Sequence, residues 1–292
     1  METKSIFIAG SLNTDLVIRS PYIPAAGETV TGDGFMTAGG GKGANQATAA
    51  AKLGGRVRMC GAVGADPYGM MLLDGLARLG VDTNCVQRMV GTPTGTAVII
   101  LTEGNNRIIL DKGANAALTE SDIDAFLSGA QIGDIYLTQL ENPTDVVGYG
   151  LRKARMRGLY TILNPAPANR DIAAYFPWVD LIVPNETELA LLGGREALFA
   201  AGCRRIVTTL GARGYEIADE DGVRTYPCIS VDAVDTTAAG DTLCGGLAVG
   251  LAEGMSLADA CALGSRAASI ACTRYGAQPS IPTRAETETR QA

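Results

Sequence analysis

The chain contains no histidine, the side chain that most often moves protons near neutral pH. Any acid–base chemistry must therefore use another group, and a carboxylate is the obvious general base. Positive charge is also scarce, since 24 basic residues face 31 acidic ones and leave a net charge of −7. This balance repels phosphate backbones, so we expect no nucleic-acid partner. A bound phosphate group must be held by backbone N–H groups, a few cations or a metal ion.

Long apolar runs and paired cysteines are missing as well. No apolar stretch free of glycines and charges approaches the ~20 residues that cross a membrane, and the first apolar run, IFIA, is too short for a signal peptide. The seven cysteines are odd in number and form no CxxC pair, which favours buried, reduced thiols over a disulfide framework or a zinc site. We therefore expect a globular, cytoplasmic protein with no membrane partner.

Apolar runs typical of buried strands alternate with amphipathic helical patterns along most of the chain. This alternation predicts an α/β fold with a doubly wound, mainly parallel sheet flanked by helices. The strand-like runs lie at 5–10, 57–63, 134–140, 160–164, 180–185 and 205–211. The helical patterns lie at 43–53, 67–79, 119–128, 143–157, 185–192, 239–253 and 256–274.

Two stretches, 12–38 and 94–111, carry strand patterns without a helix between them. The second is typical of a hairpin that turns at Glu103–Asn106. We predict that both stretches form a small β-sheet lid beside the carboxyl ends of the main strands. The large α/β domain then comprises the rest of the chain, ending in a loose polar tail, TRAETETRQA. Its three segments are 1–11, 39–93 and 112–292.

A glycine-rich stretch, TAGGGKGANQATAAAKLGG, occupies 37–55 at the start of the first helical pattern. A P-loop is excluded because Gly43, rather than serine or threonine, follows Gly41 and Lys42. A dinucleotide fingerprint is excluded because the stretch does not join the first strand directly to its helix. Lys42 and Asn45 are three residues apart and share one face of the helix start, which favours a surface for a small molecule. The alternative is a glycine turn with solvated polar residues.

A second stretch of small residues, DTTAAGDT at 235–242, leads into another helical pattern. Ala238, Ala239 and Gly240 would let a ligand reach the N–H groups of the first helical turn, which form a ready anion site. Such an anion hole could hold the oxygens of a transferring phosphoryl group, and Asp241 could accept the proton of an attacking hydroxyl. The alternative is that the acidic and hydroxyl side chains only cap the helix.

Six further motifs accompany these two stretches. They are GSLNTD (10–15), LTQLENP (137–143), NPAPA (164–168), PNETE (184–188), TLGARG (209–214) and TRYGAQPSIP (273–282). In this order, and over nearly the whole chain, the set resembles the ribokinase (PfkB-type) family of carbohydrate kinases. The resemblance implies transfer of the γ-phosphate of ATP to the 5-hydroxyl of D-ribose. It also implies that Asp241 is the general base and that the amides of residues 238–241 form the anion hole.

The resemblance further implies ligand-binding residues. The sugar site would comprise Asn13, Asp15, Gly41, Lys42, Asn45 and Glu141, together with Asp241. The nucleotide site would comprise Asn185, Thr209, Gly211, Ala212, Arg213, Gly214, Gly240 and Ser265. Glu188 would organise Mg²⁺ through water. A K⁺ site beside the anion hole, mostly of backbone carbonyls, would comprise Asp235, Thr237, Ala271, Arg274, Gly276 and Ser280.

Departures from the family pattern fall on the nucleotide side and at the end of the chain. Residues 185–209 form a shorter segment than is usual, and Ser265 stands where many relatives have a histidine near the adenine. The closing helix of the family is missing or reduced to the polar tail. At the lid, exposed strand edges need covering, which predicts that two subunits pair there as a homodimer.

Two other functions stay open. Another kinase of the same family, for 2-deoxyribose, a nucleoside or a sugar acid, would use the same catalytic groups. Asn13 favours ribose over deoxyribose, and no aromatic clamp for a nucleoside base is evident near Asn13 or Asn45. A sugar or nucleotide sensor without catalytic activity could use the same fold, but it would not need Asp241 or the glycine of the anion hole.

Overall fold

The computed structural model describes residues 3–102 and 105–289, which fold into two β-sheets and their flanking helices. The strands are β1 (Ser5–Ala9), β2 (Asn13–Arg19), β3 (Asp33–Gly40), β4 (Arg56–Gly64), β5 (Asp82–Met89), β6 (Gly95–Thr102), β7 (Asn105–Asp111), β8 (Ile135–Thr138), β9 (Tyr160–Leu163), β10 (Leu181–Ile182), β11 (Ile206–Thr209), β12 (Tyr215–Asp219) and β13 (Gly222–Tyr226). The α-helices are α1 (Lys42–Lys52), α2 (Pro67–Arg78), α3 (Glu120–Leu127), α4 (Thr144–Met156), α5 (Glu186–Leu191), α6 (Gly194–Ala200), α7 (Ala239–Ala252), α8 (Leu257–Ala271) and α9 (Arg284–Thr289).

The large sheet has nine strands in the order β13-β12-β11-β10-β9-β8-β1-β4-β5. All neighbours from β11 to β5 are parallel, and β12 and β13 add an antiparallel edge. Side chains of β1 alternate between two cores: Ile6 and Ile8 pack on one face, and Phe7 and Ala9 on the other. Because both faces are covered, these strands are continuous apolar runs. The predicted α/β fold with a mainly parallel, doubly wound sheet is confirmed.

The smaller sheet has the order β3-β2-β6-β7 and is built from the two stretches that lack helical patterns. β6 and β7 pair antiparallel, as the predicted hairpin requires, although Glu103 and Gly104 of its turn lie outside the described residues. Ile108 and Ile109 on β7 are 56% and 68% exposed. The division of the chain into a large domain and a lid stays a prediction. The pairing of two subunits also stays a prediction, and these exposed apolar side chains lie on the sheet where it would occur.

Three strands and two helices were not predicted: β5, β12, β13, α6 and α9. β5 and β13 lie at the two edges of the large sheet, where polar and exposed residues interrupt the apolar pattern. α6 carries only one buried residue, Leu198, so its sequence shows little helical periodicity.

The prediction of a loose tail is wrong for residues 284–289, which form α9, while the last three residues of the tail lie outside the described range. The Thr283 N–H donates to Glu286 Oε2 at 2.7 Å, and the Glu286 N–H donates to Thr283 Oγ1 at 3.4 Å. This reciprocal pair is a capping box, and its T-x-x-E spacing is the signal that identifies the helix. Arg284 also forms an ion pair with Glu253, which fastens α9 to the end of α7, and a second one with Glu288 within α9.

Glycines let helix α7 approach α1 and α8 closely. A Cβ added at Gly245 would lie 2.6 Å from the Ala49 Cβ on α1. One added at Gly246 would lie 2.6 Å from the Gly264 Cα on α8. These distances are shorter than carbon–carbon contacts allow, so glycine is required for the helices to approach this closely. The start of α7 is thereby held rigidly on the core.

The seven cysteines are free; four are buried and three partly buried. Burial raises the pKa of Cys244 well above its usual value, so this thiol on α7 is neutral. No helix in the described part of the chain is long and apolar enough to cross a membrane.

Candidate active site

The predicted site residues meet at the carboxyl edge of the large sheet. Loops that follow β1, β8, β9, β10 and β11 reach this edge, and α1 and α7 begin there. Together they surround a cleft of about 230 Å³. Its lining is formed by Lys42, Asn164, Ala166, Val183, Asn185, Glu188, Thr209, Thr236, Ala238, Ala239, Gly240, Asp241 and Cys244.

Asp241 lies in the first turn of α7 and is 7% exposed, yet it lines the cleft. Each of its carboxylate oxygens accepts a hydrogen bond from an amide of α1. Asn45 Nδ2 donates to Oδ2 at 3.0 Å, and Gln46 Nε2 donates to Oδ1 at 3.0 Å. The carboxylate is therefore held in one orientation, and each oxygen keeps a further lone pair for a hydroxyl.

Behind Asp241 lies a layer of buried amides. Gln46 Oε1 accepts from Gln139 Nε2 at 2.6 Å, and Gln46 Nε2 also approaches Asn164 Oδ1 at 3.2 Å. Asn164 in turn donates to the Val183 carbonyl at 2.9 Å. This layer connects α1 to the ends of β8, β9 and β10, and it fixes the position of the carboxylate relative to the sheet.

Glu141, in the loop after β8, gathers the residues predicted to bind the sugar. Its Oε2 accepts hydrogen bonds from Asn13 Nδ2 at 3.4 Å and from the Lys42 N–H at 3.3 Å, and also from the Ser11 hydroxyl. Asn13 Oδ1 accepts from Asn115 Nδ2 at 2.7 Å. These contacts bring three of the predicted sugar-binding residues together at the start of α1.

Gly41 allows strand β2 and the start of helix α1 to approach each other here. It begins α1 at φ +89°, in the region that favours glycine, and no side chain caps the helix there. A Cβ at this position would lie 2.6 Å from the backbone N of Asn13. The glycine therefore lets strand β2 and helix α1 meet at the sugar side of the cleft.

The sugar side is strongly negative. Burial, together with the nearby carboxylates of Glu141 and Asp241, raises the pKa of Asp15 to about 7. Burial lowers the pKa of Lys42, but the surrounding carboxylates outweigh this effect and leave its pKa above the usual value. Lys42 is therefore a permanent cation between the sugar side and the cleft, where it can face a phosphate group.

The start of α7 has the geometry of an anion site. Ala238 precedes the helix at φ +59°, a left-handed conformation that is uncommon for a residue with a Cβ. No side chain caps this end of the helix. The predicted Ala239 N–H is already used, because it donates to the Thr236 carbonyl at 3.2 Å. The amides of Gly240 and Asp241 remain beside the cleft, at the positive end of the helix dipole. Capping by a hydroxyl or an acidic side chain, the alternative for this stretch, is not what the structure contains.

On the nucleotide side, Asn185 and Glu188 form a capping box at α5. Glu188 Oε2 accepts from the Asn185 N–H at 2.9 Å, and Asn185 Oδ1 accepts from the Glu188 N–H at 2.8 Å. Both residues line the cleft with Thr209, which ends β11. Burial raises the pKa of Glu188. The same two side chains thus cap α5 and line the cleft.

The loop after β11 carries the next group of predicted residues. Gly211, Ala212 and Arg213 form a 3₁₀ turn, which Gly214 closes through a hydrogen bond from the Leu210 N–H to its carbonyl at 2.8 Å. Neither this turn nor Ser265, which is buried in α8, lines the cleft.

The loops predicted to hold K⁺ lie side by side. Asp235 Oδ1 accepts from the Thr237 N–H at 2.9 Å, and Asp235 Oδ2 accepts from the Gly276 N–H at 2.9 Å. Ser280 donates to the Ala277 carbonyl at 2.7 Å, and Arg274 forms an ion pair with Glu286. No group of three or more acidic or cysteine side chains suited to a metal ion occurs among the described residues. A cation held here must therefore use mainly backbone oxygens, as hard cations can.

Comparison with known proteins agrees with this geometry. Residues 3–284 match the pfkB family of carbohydrate kinases. The chain belongs to this family. A ribokinase of Haemophilus influenzae is 40% identical over 299 aligned residues, which cover 97% of each chain. The predicted membership of the family, and with it the class of ATP-dependent sugar kinases, is confirmed.

Solved structures of the family have the same fold. A ribokinase of Thermotoga maritima is 34% identical and superimposes with a TM-score of 0.86 over 98% of both chains. A ribokinase of Arabidopsis thaliana, solved with ribose and ATP, is 28% identical with a TM-score of 0.87 over 100% of both chains. The family fold therefore covers the whole chain, including its shorter segment between Asn185 and Thr209.

Sequence reasoning missed the residues that support the site from behind. Gln46, Gln139 and Asn115 each contact a predicted site residue or its direct neighbour, but none was predicted to take part. A signal existed for Gln46 and Gln139, because both lie inside motifs, GGGKGANQA and LTQLENP, that were used to recognise the family. Asn115 lies in no such motif.

Proposed function

We propose that this protein is a ribokinase, which transfers the γ-phosphoryl group of ATP to the 5-hydroxyl of D-ribose in the cytoplasm. The observation that carries the proposal is Asp241, a buried carboxylate oriented by two amides and placed in the same helical turn as uncapped N–H groups. A base and an anion site at this spacing suit attack by a hydroxyl on a phosphoryl group. A protein that only senses sugar has no use for that combination.

Recognition of the sugar falls to the cluster around Glu141. Asn13, Asp15 and Glu141 offer several acceptors, and the ionised carboxylate of Asp15 can accept from two neighbouring hydroxyls. Asn45 uses its nitrogen on Asp241, while its buried Oδ1 has no partner among the described residues and is suited to a sugar hydroxyl. A substrate without the 2-hydroxyl would leave acceptors unpaired and be rejected.

Phosphoryl transfer takes place where the sugar side meets α7. Asp241 accepts the proton of the 5-hydroxyl as the oxygen attacks, and the amides of Gly240 and Asp241 hold the charge that develops on the phosphoryl oxygens. Lys42 adds a fixed positive charge at the same point. Thr209, Asn185 and residues 211–214 hold the nucleotide. Glu188 and Asn185 would orient Mg²⁺ through its waters, and the ion would neutralise charge on the phosphates of ATP.

We also propose two features outside the reacting groups. K⁺ binds between the loops that Asp235 joins, held mainly by backbone carbonyls, and orders the anion hole without touching the substrate. Two subunits pair through the smaller sheet, where Ile108 and Ile109 are exposed on an edge strand.

The test is ADP release with Mg–ATP across D-ribose, 2-deoxyribose, fructose 6-phosphate and adenosine, each with Na⁺ and with K⁺. The proposal expects turnover confined to ribose and raised by K⁺. Turnover on another substrate would retain the catalytic groups but overturn the assignment of the sugar site. No turnover on any substrate by protein that is folded, as judged by circular dichroism, would favour a sensor.

A further inference from the structure

We propose that Gln46 is a positioning residue for phosphoryl transfer, which acts by holding Asp241 and never touches the substrate. This inference rests on the proposed function, because it assumes that Asp241 is the general base. Its geometric basis is the hydrogen bond of 3.0 Å from Gln46 Nε2 to Asp241 Oδ1. The two residues are 195 positions apart in sequence, so the contact joins two separately folded helices, α1 and α7.

Burial separates the role of Gln46 from that of its neighbour. Neither residue lines the cleft, but Asn45 is 6% exposed and its Oδ1 has no partner among the described residues, whereas Gln46 is 0% exposed. Both polar atoms of the Gln46 amide are already used inside the protein. A substrate therefore cannot reach Gln46, and this side chain can act on the cleft only through its partners Asp241 and Asn164, of which Asp241 is the proposed base.

The orientation of the Gln46 amide is set from behind. Its oxygen accepts from Gln139 Nε2 at 2.6 Å, so its nitrogen is the atom that faces the carboxylate. The reverse orientation would place the amide oxygen against Asp241 and oppose two acceptors. Gln139 is also 0% exposed, and it follows β8 on the central sheet. Two amides, those of Gln46 and Gln139, thus connect the proposed base to the end of β8 in the central sheet.

This arrangement keeps the Asp241 carboxylate in a single orientation that suits proton transfer. A carboxylate held by a single amide can rotate about its side-chain torsions, and a base displaced by about an ångström loses much of its effect. The hydrogen bond from Gln46 removes that freedom before the sugar binds. We therefore expect its loss to lower kcat rather than to weaken binding of ribose or ATP.

The experiment is a double-mutant cycle on full-length protein. The KM for ribose is measured at saturating Mg–ATP, the KM for Mg–ATP at saturating ribose, and kcat with both saturating. Gln46→Met removes the donor at nearly constant volume and should lower kcat by about 10- to 100-fold, with each KM within about threefold of wild type. Thr48→Val, a change of a buried polar residue on the same helix, is the matched control and should leave kcat within about twofold.

The cycle distinguishes positioning from general damage. In the background of Asp241→Asn, the change Gln46→Met should lower kcat by less than about threefold, because the group that it positions no longer acts as a base. An equal loss in both backgrounds, or an unchanged kcat for Gln46→Met alone, would overturn the proposal. If Gln46→Met does not fold, Gln139→Met is measured in the same cycle, with the same coupling expected.

Failure of the proposed function gives a different result. A wild-type protein that does not turn over ribose would overturn the assignment of the substrate, and the cycle would then be measured on the sugar that the substrate panel identifies. Strong coupling on that sugar would support the role of Gln46 and reject ribose alone. Additive losses would reject the role of Gln46 whichever sugar reacts.

Discussion

Asp15 should destabilise the folded protein at neutral and alkaline pH, and its amide variant should reverse this. The carboxyl is partly buried near Glu141 and Asp241, and its pKa rises from 3.8 to about 7. An acid whose pKa is raised on folding favours the folded state fully below pH ~4 and loses that contribution as the pH rises to ~7. In Asp15→Asn the side chain is neutral at every pH and carries no such loss.

The magnitude follows from the size of the shift. At 1.36 kcal/mol per pKa unit, the change from 3.8 to about 7 corresponds to at most about 4 kcal/mol at pH 8, and solvent around the partly exposed carboxyl reduces it. At pH 5 the same treatment gives at most about 2 kcal/mol. The stabilisation by Asp15→Asn should therefore be larger at pH 8, and the melting temperature should rise about 5 °C more at pH 8 than at pH 5.

The assay is thermal unfolding followed by circular dichroism at pH 5 and pH 8, without ligands. Asp74→Asn makes the same chemical change on an exposed face of α2 and should leave the melting temperature within about one degree at both pH values. Equal effects of Asp15→Asn at the two pH values, or a lower melting temperature at pH 8, would refute the reasoning. The variant should also bind ribose weakly, since the charged acceptor is lost.

Five further outcomes are expected. The KM for ribose should rise about tenfold from pH 8 to pH 6, because ionised Asp15 is the acceptor; a flat KM would contradict this. Asp241→Asn should lower kcat by roughly 10²–10⁴ while calorimetry finds ribose binding retained; near-normal turnover would exclude it as the base. Gly41→Ala should cost about 1–3 kcal/mol in chemical denaturation and raise the KM for ribose. Asp235→Ala should abolish the advantage of K⁺ over Na⁺ in turnover assays. Ile109→Glu should convert a dimer to a monomer in light scattering, and a wild-type monomer at micromolar concentration would exclude the pairing.

The inner strands of the large sheet could be predicted because burial on both faces produces a continuous apolar run in the sequence. β1, β8 and β9 are covered on both faces, so their residues are almost all apolar. The edge strands β5 and β13 have no such trace, since solvent tolerates polar residues there. Helix α9 had a capping signal, but its polar composition favoured the wrong interpretation.

The stretch proposed to carry the reacting groups could also be singled out from the sequence, whereas the residues that contact it from other parts of the chain could not. Asp241 and the small residues before it occupy one short stretch, and the chemistry of that stretch follows from its own composition. Gln46 differs, because its partner lies in another part of the chain and no spacing rule connects the two. Asn115 contacts Asn13 across 102 positions and is hidden for the same reason.

The glycine contacts of α7 also imply that two parts of the enzyme can change in sequence at different rates during evolution. A helix whose neighbours leave no room for a methyl group cannot shift when residues elsewhere are replaced. In the smaller sheet the tight glycines Gly40 and Gly95 lie closest to side-chain atoms rather than to a neighbouring α-helix, and much of the surface of the sheet is open. Substitutions that exchange one sugar for another can therefore accumulate in that sheet during divergence, while the machinery for phosphate is inherited unaltered.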